Sequence, residues 1–179
     1  MLIVPHTVLV VVDVQGRLAE VVHESDRVIR NVRTLVQGAR LLDIPVVVTE
    51  QYPKGLGPTV PAISELLDGV HLFEKHTFSC CGNHEFNTAM MTLHRQEVLL
   101  CGIESHVCVY QTARDLIDDG YTVHVVTDAV SSRTAANAQL GINRMLTMGA
   151  IATGTEMALF ELLRESGTDT FKAISKLVK

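Results

Sequence analysis

Three residues in this 179-residue sequence carry groups that together would make a nucleophile, a base and a cation. They are Cys108 in "CGIESHVCVY", Asp13 in "VVVDVQG" and Lys75 in "FEKHTF". A thiol attacks a carbonyl carbon as its thiolate, so it needs a lowered pKa or an adjacent base. Cys108 falls in the first turns of a helical pattern that runs on through "VYQTARDLIDDG". Free amides and the dipole at a helix start favour negative charge, and a neighbouring ammonium acts in the same direction. The expectation is a Cys108 sulfur ionised near neutrality, with Asp13 accepting its proton and Lys75 holding the carboxylate. Backbone amides around Glu104 to Cys108 are placed to receive a developing oxyanion. Each residue also has an inert reading. An aspartate can cap a turn, a lysine can sit in solvent, and a free cysteine packs as a small apolar group. The chemical reading gains because all three fall on one edge of one inferred sheet.

That edge follows from the pattern of short apolar runs. "TVLVVVDV" (7–14), "IPVVVTE" (44–50), "VHLFEK" (70–75), "EVLLCGI" (97–103), "YTVHVVTDAV" (121–130) and "AIAT" (150–153) read as strands. The longer runs lack polar alternation, so both faces are buried, as in parallel sheets. Between them, Val28, Val32, Leu35, Val36 and Leu42 recur at helical spacing within 26–43, with Ser25 as the expected N-cap. Further helices are expected over 106–119, 135–149, 156–166 and 170–179. Right-handed crossovers then give an α/β fold, a three-layer doubly wound sandwich. Nothing divides the chain, so residues 1–179 form one domain. Ligands of such sheets bind outside the carboxyl ends of the strands. The Pro- and Gly-rich segment "QYPKGLGPTVPA" (51–62) leaves one such end as a possible pocket wall or a plain connection.

Composition narrows the partners. A net charge of −5 with no Lys/Arg stripe disfavours nucleic acid. The apolar run before Asp13 is too short to cross a bilayer, so no membrane role is expected. Cys80, Cys81, Cys101 and Cys108 lack metal-ligand spacing, and the eight histidines form no ligand cluster. Reduced thiols point to a cytoplasmic protein. No G-x-G-x-x-G follows the first strand, where "DVQGRL" stands, which disfavours a dinucleotide site.

The segments "VVVDVQ", "FEKHTFS", "LLCGIESHVCVYQTARDLIDDGYTVHVVTDAVSSR" and "MGAIATGTEMALFELL" together resemble the isochorismatase-like cysteine hydrolase superfamily. The likeness is nearest to the isochorismatase-domain-containing proteins, whose "TEQYPKGLGPTV" loop is matched at 49–60. It covers about residues 7 to 179. The resemblance implies a six-stranded parallel sheet and a triad of Asp13, Lys75 and Cys108. It also implies a cis peptide between Ile103 and Glu104, aiming the amides of Glu104 and Cys108 at one oxyanion. Nicotinamidases of this superfamily carry an Asp-x-His metal motif after the second strand. "TEQYPKG" has no His there, so no metal or other cofactor is expected. Isochorismatases that cleave a vinyl ether lack the cysteine, which Cys108 supplies here.

The reading is a metal-independent cysteine hydrolase cleaving a small amide or related C–N bond through a thioester. Gln15, Tyr52, Phe78, Glu104 and Val107 are the expected substrate-binding residues. A homo-oligomer, dimer or tetramer, is expected, with the helices of 156–166 and 170–179 as possible contact surfaces. The alternatives are a vinyl-ether hydrolase and a silent binding or scaffold protein of the same fold.

Overall fold

A computed structural model describes all 179 residues. Six parallel strands form one sheet: β1 (Thr7–Val12), β2 (Val46–Gln51), β3 (His71–Lys75), β4 (Glu97–Ile103), β5 (Thr122–Ser131) and β6 (Ile151–Thr153), in the order β3-β2-β1-β4-β5-β6. The order reverses direction between β1 and β4, which makes that junction the place where a doubly wound sheet opens a crevice.

Alternation along β1 shows why its six residues are all buried. Leu9 and Val11 face α2 (Ser25–Leu41), meeting Val28, Val32, Leu35 and Val36, with Ala158 and Leu162 of α8 (Thr155–Leu163) on the same side. Val8, Val10 and Val12 face the other layer, where Phe86 and Met90 of α5 (His84–Leu93), Ala113 and Leu116 of α6 (Tyr110–Asp118) and Met145 of α7 (Ala135–Thr147) complete the core. The C-terminal helix α9 (Asp169–Leu177) packs on α2 and buries Ile174.

Several boundaries differ from the sequence reading. β1 stops at Val12 because Asp13 takes a left-handed conformation, φ 51°, and turns the chain out of the strand. A short helix α1 (Gly16–Val21) follows. Ser25 is the first residue of α2, not its cap. Its hydroxyl donates to the Ala19 carbonyl at 2.7 Å, and Glu24, φ 52°, makes the turn. The helix α5 was not expected. Its signal was present in Asn83, whose side chain accepts from the Glu85 and Phe86 amides, and in the spacing of Phe86 and Met90. Two single-turn helices, α3 (Pro53–Leu56) and α4 (Pro61–Ser64), sit in the segment after β2. No helix is long and apolar enough to cross a membrane.

Candidate active site

Asp13, Lys75 and Cys108 are all buried at the carboxyl edge, beside the β1–β4 junction. Lys75 is not a solvated charge. Its Nζ donates to Asp13 Oδ2 at 2.7 Å, to Gln51 Oε1 at 2.8 Å and to the Phe78 and Thr77 carbonyls at 3.0 and 3.2 Å. An ammonium has three protons, so these four acceptors leave none for a ligand. Burial would lower the Lys75 pKa, but the attraction of Asp13 and the nearby thiols prevails and raises it above its ordinary value. Asp13 is gripped from β2 as well. Its amide donates to the Thr49 carbonyl at 3.1 Å, and its Oδ1 accepts from the Thr49 hydroxyl at 2.8 Å.

Cys108 lies in a wide turn, Ser105–Val109, of π-helical geometry that leads into α6. The Glu104 carbonyl accepts from the amides of Val107 and Val109 at 3.0 and 3.2 Å. The Ile103–Glu104 peptide is cis. Ser132 holds the turn from the end of β5, 2.8 Å from both Ser105 Oγ and His106 Nδ1. Gly141 of α7 passes so close that a Cβ there would lie 2.4 Å from the Ser105 oxygen. At the junction itself, Gly102 has φ 117°, and an added Cβ would lie 2.1 Å from the Val12 oxygen.

The expected ionised Cys108 is corrected by this geometry. Burial pushes the thiol up, and the Asp13 carboxylate facing it pushes it further; Lys75 only partly opposes them. A helix start signals attraction for charge, but it does not reveal how deep the sulfur sits or that an aspartate is among its neighbours. The Cys108 sulfur therefore rests as a thiol beside the Asp13–Lys75 ion pair. The other cysteines are raised too, chiefly by burial, Cys80 to about 11 and Cys81 to about 12.

These raised thiols are expected to limit stability at alkaline pH. A thiol in the unfolded chain ionises near its ordinary value of 9.0, while the folded protein holds the proton longer. The stabilisation is thus complete below pH 9.0 and is lost as pH rises toward the folded value, about 11 for Cys80. Each fully buried thiol is expected to remove about 1.4 kcal/mol per pH unit in that window. Urea titrations between pH 8 and 11 read this directly; a flat profile would contradict it.

The expected pocket residues separate. Tyr52 and Phe78 present exposed rings, with Tyr52 5.3 Å from the His76 ring, and Val107 is half-buried. Gln15 is fully buried with its amide engaged: Nε2 donates to the Gln51 and Gly57 carbonyls at 2.9 and 2.8 Å, and Oε1 accepts from the Gln51 amide at 2.6 Å. It ties down the loop after β2 and has no N–H left for a substrate. Glu50 helps, accepting from the Thr59 amide and hydroxyl at 2.6 and 2.7 Å. The Glu104 side chain accepts from Arg133 N and Nε at 3.1 and 3.0 Å, so it clips the Ser105–Val109 turn to the end of β5. Thr49, Gln51, Cys80 and Ser132 were not anticipated. Thr49 lies in the run 44–50 that already reads as a buried strand, whereas Gln51 reads as the start of the loop and the structure keeps it in β2. No three His, Cys, Asp or Glu side chains are grouped to hold a metal ion.

Comparison with known proteins matches the isochorismatase domain family over residues 7–157. A secreted isochorismatase effector, Isc1, of Phytophthora sojae is 44% identical over 99% of this chain and 87% of its own length. Isochorismatase domain-containing protein 2 of Danio rerio is 36% identical, covering 96% of this chain and 86% of its own. The solved structure of the MAR1 ribonuclease from Caenorhabditis elegans superposes with a TM-score of 0.93 at 39% identity, over 99% of this chain and 91% of that one. A family match that takes in all six strands together with Asp13, Lys75 and Cys108 makes this chain a member of the isochorismatase family of hydrolases.

Proposed function

We propose that this protein is a cysteine hydrolase of a small amide or related C–N bond, working without a metal through a thioester on Cys108. The observation that carries the reading is the buried Asp13–Lys75 pair, 2.7 Å apart, facing the Cys108 thiol at the sheet's switch point. A protonated thiol beside a fixed carboxylate is arranged for attack with concurrent proton transfer.

As sulfur bonds to the carbonyl carbon, Asp13 takes the thiol proton and the carbonyl oxygen becomes an oxyanion, received by the amides of Glu104 and Cys108. The tetrahedral centre collapses, the C–N bond breaks, and Asp13 delivers the proton to the leaving nitrogen. Water then attacks the thioester and gives its proton to Asp13. The C–S bond breaks, the acid leaves, and the sulfur is reprotonated. Lys75 stays charged throughout and keeps Asp13 in place. Tyr52, Phe78 and Val107 form the wall that the substrate meets.

A dianionic vinyl-ether substrate fits less well, because the Lys75 ammonium is already saturated by four acceptors. A phosphodiester polymer would approach a chain of net charge −5. Four free thiols, one of them placed as a nucleophile, suit a reducing cytoplasm. A homo-oligomer, dimer or tetramer, belongs to the same proposal, with exposed Met157 of α8 on a contact surface.

The test is intact-mass and peptide mapping after incubation with a panel of small amides, ureas and carbamoylated amines. An acyl adduct on Cys108 with release of the amine is expected for at least one member. Turnover of any member with the adduct on another residue would overturn the mechanism, and no adduct or turnover across the panel would favour the scaffold reading.

A further inference from the structure

The Thr49 hydroxyl touches the proposed base and no reacting atom. It is fully buried, donates to Asp13 Oδ1 at 2.8 Å, and lies 3.5 Å from the buried Cys80 sulfur. A hydroxyl has one proton. Since that proton goes to Asp13, the contact with Cys80 has the thiol as donor. Cys80 is itself fixed, its amide donating to Thr112 Oγ1 at 3.0 Å on the helix that follows the nucleophile turn. The result is a directional chain, from the Cys80 thiol to the Thr49 oxygen and from the Thr49 hydroxyl to Asp13. Burial and the nearby Asp13 carboxylate raise Cys80 to about 11, so it stays a donor across the neutral range.

We propose that Thr49 is a positioning residue for the base, its hydroxyl aimed at Asp13 Oδ1 by the Cys80 thiol. This rests on the reading of Asp13 as the base. With Oδ1 taken by Thr49 and Oδ2 by Lys75, the carboxylate cannot rotate, and the Asp13 amide bonded to the Thr49 carbonyl fixes the backbone below it. Asp13 held in this way lies close enough to Cys108 to push its thiol up. Gln51 holds Lys75 in the same way from two residues along β2, so one strand positions both members of the ion pair.

The experiment follows the carboxyl carbon signal of Asp13 in the full-length protein labelled with [13C]aspartate. The signal is assigned by its disappearance in Asp13→Asn. Loss of a hydrogen bond to the charged form favours the neutral form, so Thr49→Val is expected to raise the pH midpoint of that signal by about one unit. Thr49→Ser, which keeps the hydroxyl, is expected to restore the wild-type midpoint. Thr49→Ala carries the same expectation as the valine variant and replaces it if that protein does not fold. An unchanged midpoint in the hydroxyl-free variant, or a serine variant that behaves like it, overturns the positioning role. The signal is read without turnover, so this result is separable from the fate of the thioester mechanism.

Discussion

Cys108→Ala is expected to abolish turnover, with a loss of about 10⁴-fold or more, while leaving the fold standing. The loss is large because the remaining groups have nothing to activate. Lys75 is saturated, and Asp13 without a sulfur partner can only polarise water. The fold survives because Cys108 is one small side chain of a core that also includes Val109, Ala113 and Leu116 on the same segment. Truncation to alanine removes a single sulfur atom, so the midpoint of thermal unfolding is expected to move by only a few degrees, about 2–4 °C per kcal/mol at this chain length. Cys108→Ser is expected to be nearly as inactive, since an alcohol is far harder than a thiol for a carboxylate to deprotonate. Steady-state assays on the amide that acylates the wild type, paired with thermal melts, decide the matter. Retention of more than a tenth of the wild-type rate in Cys108→Ala would remove the thioester from the mechanism.

The second large effect falls on stability. Lys75→Met strips the counter-ion from a carboxylate that is almost wholly buried. Breaking a buried ion pair from one side costs about 3–5 kcal/mol, because the surviving charge keeps its desolvation penalty without its partner. The Gln51 side-chain oxygen and the Thr77 and Phe78 carbonyls lose their donor at the same time. The thermal midpoint is expected to fall by roughly 10 °C, and activity with it. Asp13→Asn combined with Lys75→Met removes both charges, so it is expected to regain part of the lost stability but none of the activity. This split separates the pair's two contributions. A Lys75→Met protein as stable as wild type would mean that Asp13 reaches water after all.

Much of the fold is legible because parallel strands buried on both faces leave uninterrupted apolar runs, as in residues 7–12 and 97–103. The position of Asp13 follows from the same runs, since a polar residue closing such a strand emerges at the carboxyl edge, while Lys75 ends the mostly exposed β3 and Cys108 lies in the turn after β4. The remainder depends on depth and direction, which residue order does not encode. Cys108 reads as a helix-start thiol, and only the fold shows an anion facing it under cover. Gln15 sits two residues from Asp13, and only the fold turns it toward the loop backbone. Thr49 looks like any strand residue until β2 lies against β1 and its hydroxyl meets the carboxylate.

Gly102 gives this arrangement a consequence beyond packing. Asp13 and Cys108 arrive from distant parts of the chain, and where β1 and β4 run side by side Gly102 leaves no room for a methyl group against the Val12 carbonyl. A missing side chain thus sets the spacing of the strand that ends at Asp13 and the strand that leads to Cys108, and an inert methyl group at position 102 would force them apart.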